Sequence, residues 1–410
     1  GQVKKIHLNW SNDREILDVR FSVMQTSKDG CIWLGSNGRG IFFSHPYLSL
    51  FSKGKMGFSK SENFISSSLY TILQRKSPVT GHEQILFSTL QSFGQLDIAP
   101  NGTVVSFNEV DLRTRCIVED QKRNIWIGSP MGLVQYNPEN HVSALKVPLK
   151  NSMIMSIYLD SGGIIWFSTH SNLFSFDPVQ NKVKRFPFLP ENNDKMVAMH
   201  YSTIQPDPDG SLWIGTATGL LQFSTKAERY IKAYKSDPKV PQSLSTNDIK
   251  CIYIDSGCSG NDVWVGTSTG LNKLDKRKGT FEHFTTDDGL PNNTVYGILD
   301  DEMGNMWLSS NRGISMFNPK TKSFINFDVQ NGLQSNEFNT GAYFKSRSGE
   351  LFFAGINGYN RFYPQNVKIQ NHTRPIVIAQ VKQIGAGKKE AFYFSETKPN
   401  LLRYDQNNIS

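Results

Sequence analysis

The chain has 410 residues, of which 38% are hydrophobic, 20% charged and 12% aromatic, with 33 glycines and a formal net charge of +8. This balance excludes a disordered chain, and there is no run of about 18 apolar residues to cross a membrane as a helix. The Lys and Arg residues are dispersed in groups such as "KVKR" and "GKKE", which reads as a solvated surface and not as a nucleic-acid stripe.

Taken in chain order, "GQVKKIHLNW" has no apolar signal core, so the protein is either cytosolic or has lost a leader. Its residues 2–10 alternate like an isolated outer strand. From Trp33 onward one phrase is rewritten eight times: an apolar slot, a turn of small residues, then an apolar–polar alternation. The slot holds Trp33, Leu86, Trp126, Trp166, Trp213, Trp264, Trp307 and Phe352, at steps of 40 to 53 residues. A period of this length built from short strands is the mark of a propeller blade.

The copy around Trp307 shows the parts of a blade. "TVYGILDD" is a first strand (A), "MWLSS" a second (B), "ISMFNP" a third (C) and "SFINFDV" a fourth (D), separated by Gly- and Asn-containing turns. One such sheet is marginal by itself, and radial stacking buries both of its faces. The slot tryptophan fills the space between sheets, and the small residue after it lets backbones approach. Up-and-down order puts B–C turns and D–A connections on one face of the ring, with strand A innermost. The predicted fold is therefore all-β, a β-propeller of four-stranded blades. Eight copies favour eight blades, with residues 2–10 completing the last one, which lacks a D strand of its own. Seven blades plus one further repeat is the alternative.

Cys31, Cys116, Cys251 and Cys258 read as free thiols, three of them inside strands as small buried hydrophobes. No C-x-x-C, H-E-x-x-H, G-x-S-x-G or Walker pattern occurs, so no cofactor, metal or catalytic residue is assigned. The acidic clusters "PDPDG", "DDG" and "LDDEMG" read as turns. Ligand-binding candidates come from the B–C turns, which supply Arg39, His170 and Arg312, and from the D–A connections. The latter supply Asn293, Asn336 and Glu337, with Asn292 and Asn339 beside them. Amides and a carboxylate suit sugar hydroxyls, and Arg suits a uronate or sulfate. The same Asn residues equally suit capping of their own turns.

"IWIGSPMGLVQYNP" resembles the two-component-regulator propeller repeat, and residues 285–364 look like the final blades of periplasmic sensor regions in hybrid two-component systems of gut Bacteroidetes. "RPIVIAQVKQIG" and "LLRYDQNNIS" resemble the start of the tyrosine-named β-sandwich that follows such propellers. The resemblance is specific over residues 120–380 and loose over 50–110. It implies three parts: residues 1–45, a closing blade or the end of a preceding ring; residues 46–368, the propeller; and residues 369–410, a truncated sandwich. It also implies a non-catalytic, periplasmic sensing region that answers to an oligosaccharide, anionic ones included, and controls polysaccharide-utilisation genes. The complete inner-membrane protein would dimerise and carry a membrane helix, a histidine kinase and a response regulator. A propeller lyase, with His170 or His200 as general base, and a protein-interaction scaffold are the alternatives.

Overall fold

The computed structural model describes residues 21–26, 32–36, 41–44, 51–54, 68–150, 152–188, 203–255, 262–367, 380–385 and 388–393. The chain divides into two units, residues 1–367 and 368–410. In the first, β1 (Phe21–Thr26), β2 (Ile32–Ser36) and β3 (Ile41–Ser44) form a three-stranded antiparallel sheet of their own that contains Trp33. The short β4 (Ser52–Gly54) belongs elsewhere.

The ring has seven four-stranded blades. Blade 1 is β5 (Thr71–Lys76), β6 (Glu83–Ser88), β7 (Phe93–Ile98) and β8 (Val104–Val110). Blade 2 is β9 (Cys116–Glu119), β10 (Ile125–Ser129), β11 (Gly132–Asn137) and β12 (Val142–Pro148). Blade 3 is β13 (Ser156–Leu159), β14 (Ile165–Ser168), β15 (Asn172–Asp177) and β16 (Lys182–Pro187). Blade 4 is β17 (Thr203–Pro206), β18 (Ser211–Thr216), β19 (Gly219–Ser224) and β20 (Arg229–Tyr234). Blade 5 is β21 (Ile249–Ile254), β22 (Asp262–Thr267), β23 (Gly270–Asp275) and β24 (Thr280–Phe284). Blade 6 is β25 (Val295–Asp300), β26 (Met306–Ser310), β27 (Gly313–Asn318) and β28 (Ser323–Phe327). Blade 7 is β29 (Phe338–Lys345), β30 (Leu351–Gly355) and β31 (Gly358–Phe362), with β4 as its outer strand.

The eight-bladed expectation is thereby corrected. The repeat at Trp33 forms a separate sheet, and the missing D strand comes from β4, where Gly54 pairs with Tyr359 and Ser52 with Arg361. Residues 2–10 lie outside the described residues. The closing strand is held by Phe51, which is 1% exposed and meets Phe362, Phe327 and Trp307 edge-on at centroid distances of 4.8, 5.2 and 6.5 Å. A strand from one end of the ring paired with the other end covers the edge that β31 would otherwise present and leaves only the three-residue β4 outermost.

The first strands stand innermost, each touching the next, with β29 returning to β5. Second strands such as β10, β18 and β26 are buried along their whole length, whereas the fourth strands β12, β16 and β20 lie largely exposed at the rim. Two residues before the first-strand partner of each slot comes a small side chain: Thr71, Cys116, Ser156, Thr203, Cys251, Gly297 and Ala342. Second-strand glycines press on this layer. A Cβ on Gly128 would lie 2.4 Å from Cys116 Sγ, and one on Gly266 2.3 Å from Cys251 Sγ. Both cysteines are free thiols whose pKa burial pushes well above the ordinary value. In the next turn Gly313 takes φ +94, a conformation that favours glycine.

The slot tryptophans are more than apolar bodies. Each of Trp126, Trp166, Trp213 and Trp307 donates its Nε1–H to an Asp six residues earlier, at 2.8 to 3.0 Å. The same carboxylates, Asp120, Asp160, Asp207 and Asp301, accept backbone N–H groups of the A–B turn. One side chain thus folds the turn and satisfies the buried indole. In blade 5 the turn is longer, and Trp264 Nε1 has no hydrogen-bond partner among the described residues.

In the second unit, β32 (Gln380–Gly385) pairs antiparallel with β33 (Lys388–Tyr393).

Candidate functional site

Three concavities follow from this architecture. The first is the axial channel on the face of the D–A connections, a cavity of about 190 Å³. Its wall is polar, with Ser156, Thr203 and Thr340, and carries two cations, Arg115 and Lys250. These occupy one repeat position, directly before Cys116 and Cys251. The Arg115 guanidinium lies over the Tyr70 ring at 4.3 Å, the same position of blade 1, and Lys250 Nζ lies 3.0 Å from Asp248.

The second is the opposite mouth, where blades 1, 2 and 7 enclose about 430 Å³. Five cations line it: Arg75, Lys76, Arg123, Lys345 and Arg347. Three carboxylates answer them, with Glu119 3.0 Å and Glu139 3.5 Å from Arg75, and Asp300 2.8 Å from Lys345. Burial pulls the Arg75 pKa below the usual guanidinium value, against the pull of Glu119 and Glu139. Both ends of the axis therefore favour anionic groups.

The third lies off the axis, between blades 2 and 3, on the face of the A–B and C–D turns: a cleft of about 830 Å³. Every other seam between blades is crossed by an ion pair. Arg361–Glu83 joins 7 to 1, Arg75–Glu119 joins 1 to 2, and Lys184–Glu228 joins 3 to 4. Lys276–Asp207 joins 4 to 5, Lys322–Glu282 joins 5 to 6, and Lys345–Asp300 joins 6 to 7. No ion pair between described residues crosses the seam of blades 2 and 3. That seam is closed near the other face by apolar packing around Ile154, and Trp126 meets Phe176 edge-on at 6.0 Å.

None of the ligand-binding candidates from the sequence that fall among the described residues lines these concavities. Arg39 and His200 lie outside the described residues. His170 and Arg312 are exposed on B–C turns. Asn293 and Asn336 hold equivalent connectors: their Oδ1 atoms accept from Thr286 N at 2.9 Å and Val329 N at 3.1 Å, bracing two capped 3-10 turns. Asn292 accepts from Thr294 N, and Asn339 donates to Ser68 Oγ and Leu69 O. Glu337 is exposed, and its backbone accepts from Gln334 Nε2 and donates to Ser335 Oγ within its own connector. Arg115 and Lys250 were readable in principle, since "RCIVED" and "KCIYID" repeat a cation at the innermost strand.

Residues 148–171, 196–218 and 289–312 match the two component regulator propeller family. The molecule is thus a seven-bladed propeller that carries two-component-regulator repeats. Histidine kinase P4 of Formosa agariphila is 25% identical in an alignment of 299 positions that covers 61% of this chain and 21% of that protein. The extracellular domain of a hybrid two component system from B. thetaiotaomicron has the same fold, with a TM-score of 0.67 and 23% identity over 92% of this chain and 50% of that one. Virginiamycin B lyase from Staphylococcus aureus shares the propeller at a TM-score of 0.55 and 13% identity, over 76% of this chain and 98% of that one. By sequence the chain is similar to part of a histidine kinase, and in fold to the extracellular domain of a hybrid two component system. It spans half or less of the length of those two signalling proteins.

Proposed function

We propose that this chain is the periplasmic ligand-sensing region of an inner-membrane hybrid two-component histidine kinase and response regulator, and that it answers to an oligosaccharide. The observation that carries this reading is the sequence match to a histidine kinase over 61% of the chain, beside three matches to the two component regulator propeller family. Cations at both ends of the axis suit a glycan with uronate or sulfate groups, because a desolvated carboxylate or sulfate is held best by convergent guanidinium and ammonium donors. A ring of packed sheets does not flex far within itself. The ligand would therefore act by favouring one arrangement of propellers or of protomers in a homodimer, and a membrane helix would pass that change to the kinase. Regulation of polysaccharide-utilisation genes is the expected output.

The test is a thermal-shift screen of the chain against neutral, uronic-acid and sulfated oligosaccharides, paired with a transcriptional reporter for the complete sensor. Binding to the native state adds about 2.7 kcal/mol of stability at a hundred times Kd. The expected result is that one glycan class raises the melting point and switches the reporter. Absence of both effects for every class would contradict the proposal. Chemical conversion of the bound sugar would favour the lyase reading instead.

A further inference from the structure

The open seam between blades 2 and 3 has a chemical character distinct from the axis, and its origin is visible in the residues. At the seam of blades 4 and 5, Lys276 follows the third-strand Asp275 and reaches back to Asp207 at 2.8 Å. The corresponding residue of blade 3, after Asp177, is Pro178, which has no ammonium to send across. The A–B turn of blade 3 is Ser161-Gly162-Gly163, so nothing large projects from it either. Between these small residues and blade 2 lies the cleft of about 830 Å³, within the roughly 300–1,000 Å³ range of small-molecule sites.

Its charges balance and its carboxylates are committed. Two cations, Lys122 and Lys146, and two carboxylates, Asp120 and Asp177, line it. Asp120 accepts from Asn124 N at 2.8 Å, Asn124 Nδ2 at 2.9 Å and Trp126 Nε1 at 2.9 Å. Asp177 Oδ1 accepts from Val179 N at 2.8 Å and Gln180 N at 3.0 Å. The cleft therefore offers neither a net charge nor a spare carboxylate to a cation.

It does offer an amide. Gln135 stands on the third strand opposite Trp126. In four of the other six blades the residue at this position is polar and engaged: Gln95 on Pro138 O, Gln222 on Ser211 Oγ, Lys273 on Asp262, and Arg361 on Glu350, while blades 3 and 6 carry Ser175 and Met316 there. Half-buried Gln135 makes no side-chain hydrogen bond to a described residue. Gln121 and Asn181 add further amides at the rim, and Phe176 and Ile165 contribute an apolar floor. An amide donates and accepts side by side, as vicinal hydroxyls do, and an apolar floor suits the C–H faces of sugar rings. We propose that the cleft between blades 2 and 3 binds a neutral oligosaccharide, at a site separate from the cationic axis. The choice of ligand class rests on the glycan-sensing reading; the location of the site does not.

Isothermal titration of the full chain with xylotetraose, mannotetraose, cellotetraose and galactotetraose tests this, with a tetragalacturonate and a heparin tetrasaccharide alongside. Ser161→Trp places an indole in the cleft from an exposed turn position, Gln135→Leu removes the amide, and Lys322→Ala on a remote seam is the control. The expected result is binding of at least one neutral tetrasaccharide, weakened tenfold or more by each cleft variant and unchanged in the control. Should Gln135→Leu fail to fold, Ser161→Trp carries the comparison. Neutral binding that ignores the cleft variants, or no neutral binding, overturns the assignment. Binding of acidic tetrasaccharides alone, lost in Arg115→Ala, would overturn the cleft while the sensing reading stands. No binding by any member would count against both.

Discussion

The seam of blades 7 and 1 and the seam of blades 2 and 3 solve the same packing problem in opposite ways. The first is where the two ends of the ring meet, and an anchored arginine crosses it. β4 completes blade 7 by pairing with β31, Phe51 packs among aromatics of blades 6 and 7, and Arg361, held by Glu350 in a two-pronged pair at 2.7 and 2.8 Å, reaches across to Glu83 at 2.8 Å. Burial lowers the Arg361 pKa, but Glu350 and Glu83 together outweigh it and hold the guanidinium above its ordinary value. The second joins two blades that are consecutive in the chain, and it has apolar packing near one face and a cleft near the other. Both seams join blades linked along the chain, since β4 of blade 7 precedes β5 of blade 1, so the difference lies in the side chains that cross them. An ion pair crosses the first, and where none between described residues crosses the second there is room for a ligand.

The comparison can be broken by removing the brace. Arg361→Ala leaves Glu350 and Glu83 without their cation, and we expect a loss of about 3 kcal/mol, the lower end for a buried pair broken on one side, since Arg361 is partly exposed. Urea unfolding measures it, and a loss under about 1 kcal/mol would deny the seam its special role. Asp207→Ala should cost about 2 kcal/mol, because buried Trp213 Nε1 and Lys276 both lose their acceptor. The internal reference is Trp264. With no acceptor among the described residues, Trp264→Phe should destabilise less than Trp213→Phe when both are melted under one protocol. Lys184→Ala removes a seam pair whose partners are nearly half exposed, so its effect should stay within about 0.5 kcal/mol. Ser161→Trp should be smaller still, since the turn faces an open cleft, and a melting point lowered by several degrees would show that the space is already filled.

Much of this architecture was legible in the sequence, for a local reason. The four strands expected around Trp307 coincide with β25 to β28 within a residue or two, because glycine turns and apolar alternation are written into adjacent residues. The blade count was not. The closing strand is three residues long, lies at the far end of the ring in sequence, and has no alternation to announce it, whereas residues 2–10 imitate an outer strand better. The acidic turn motifs were recognised as turns, yet the six-residue step from Asp to Trp, which ties turn to indole, was written four times and went unused. The candidate site was the least legible. Arg312 and Asn336 drew notice as polar residues on turns, but Asn336 is spent on Val329 N. The cleft between blades 2 and 3 arises from what Pro178, Gly162 and Gly163 omit, and an omission becomes visible only when the other seams are seen bridged.

The most direct measurement is native-state hydrogen exchange of the chain, read by mass spectrometry blade by blade. Local opening is easiest where few contacts cross. The account predicts faster exchange in β12 and in the turn at 160–164, beside the open seam, than in β6, β30 and β31 beside the braced one. Equal protection at the two seams, or faster exchange at the seam of blades 7 and 1, would contradict it.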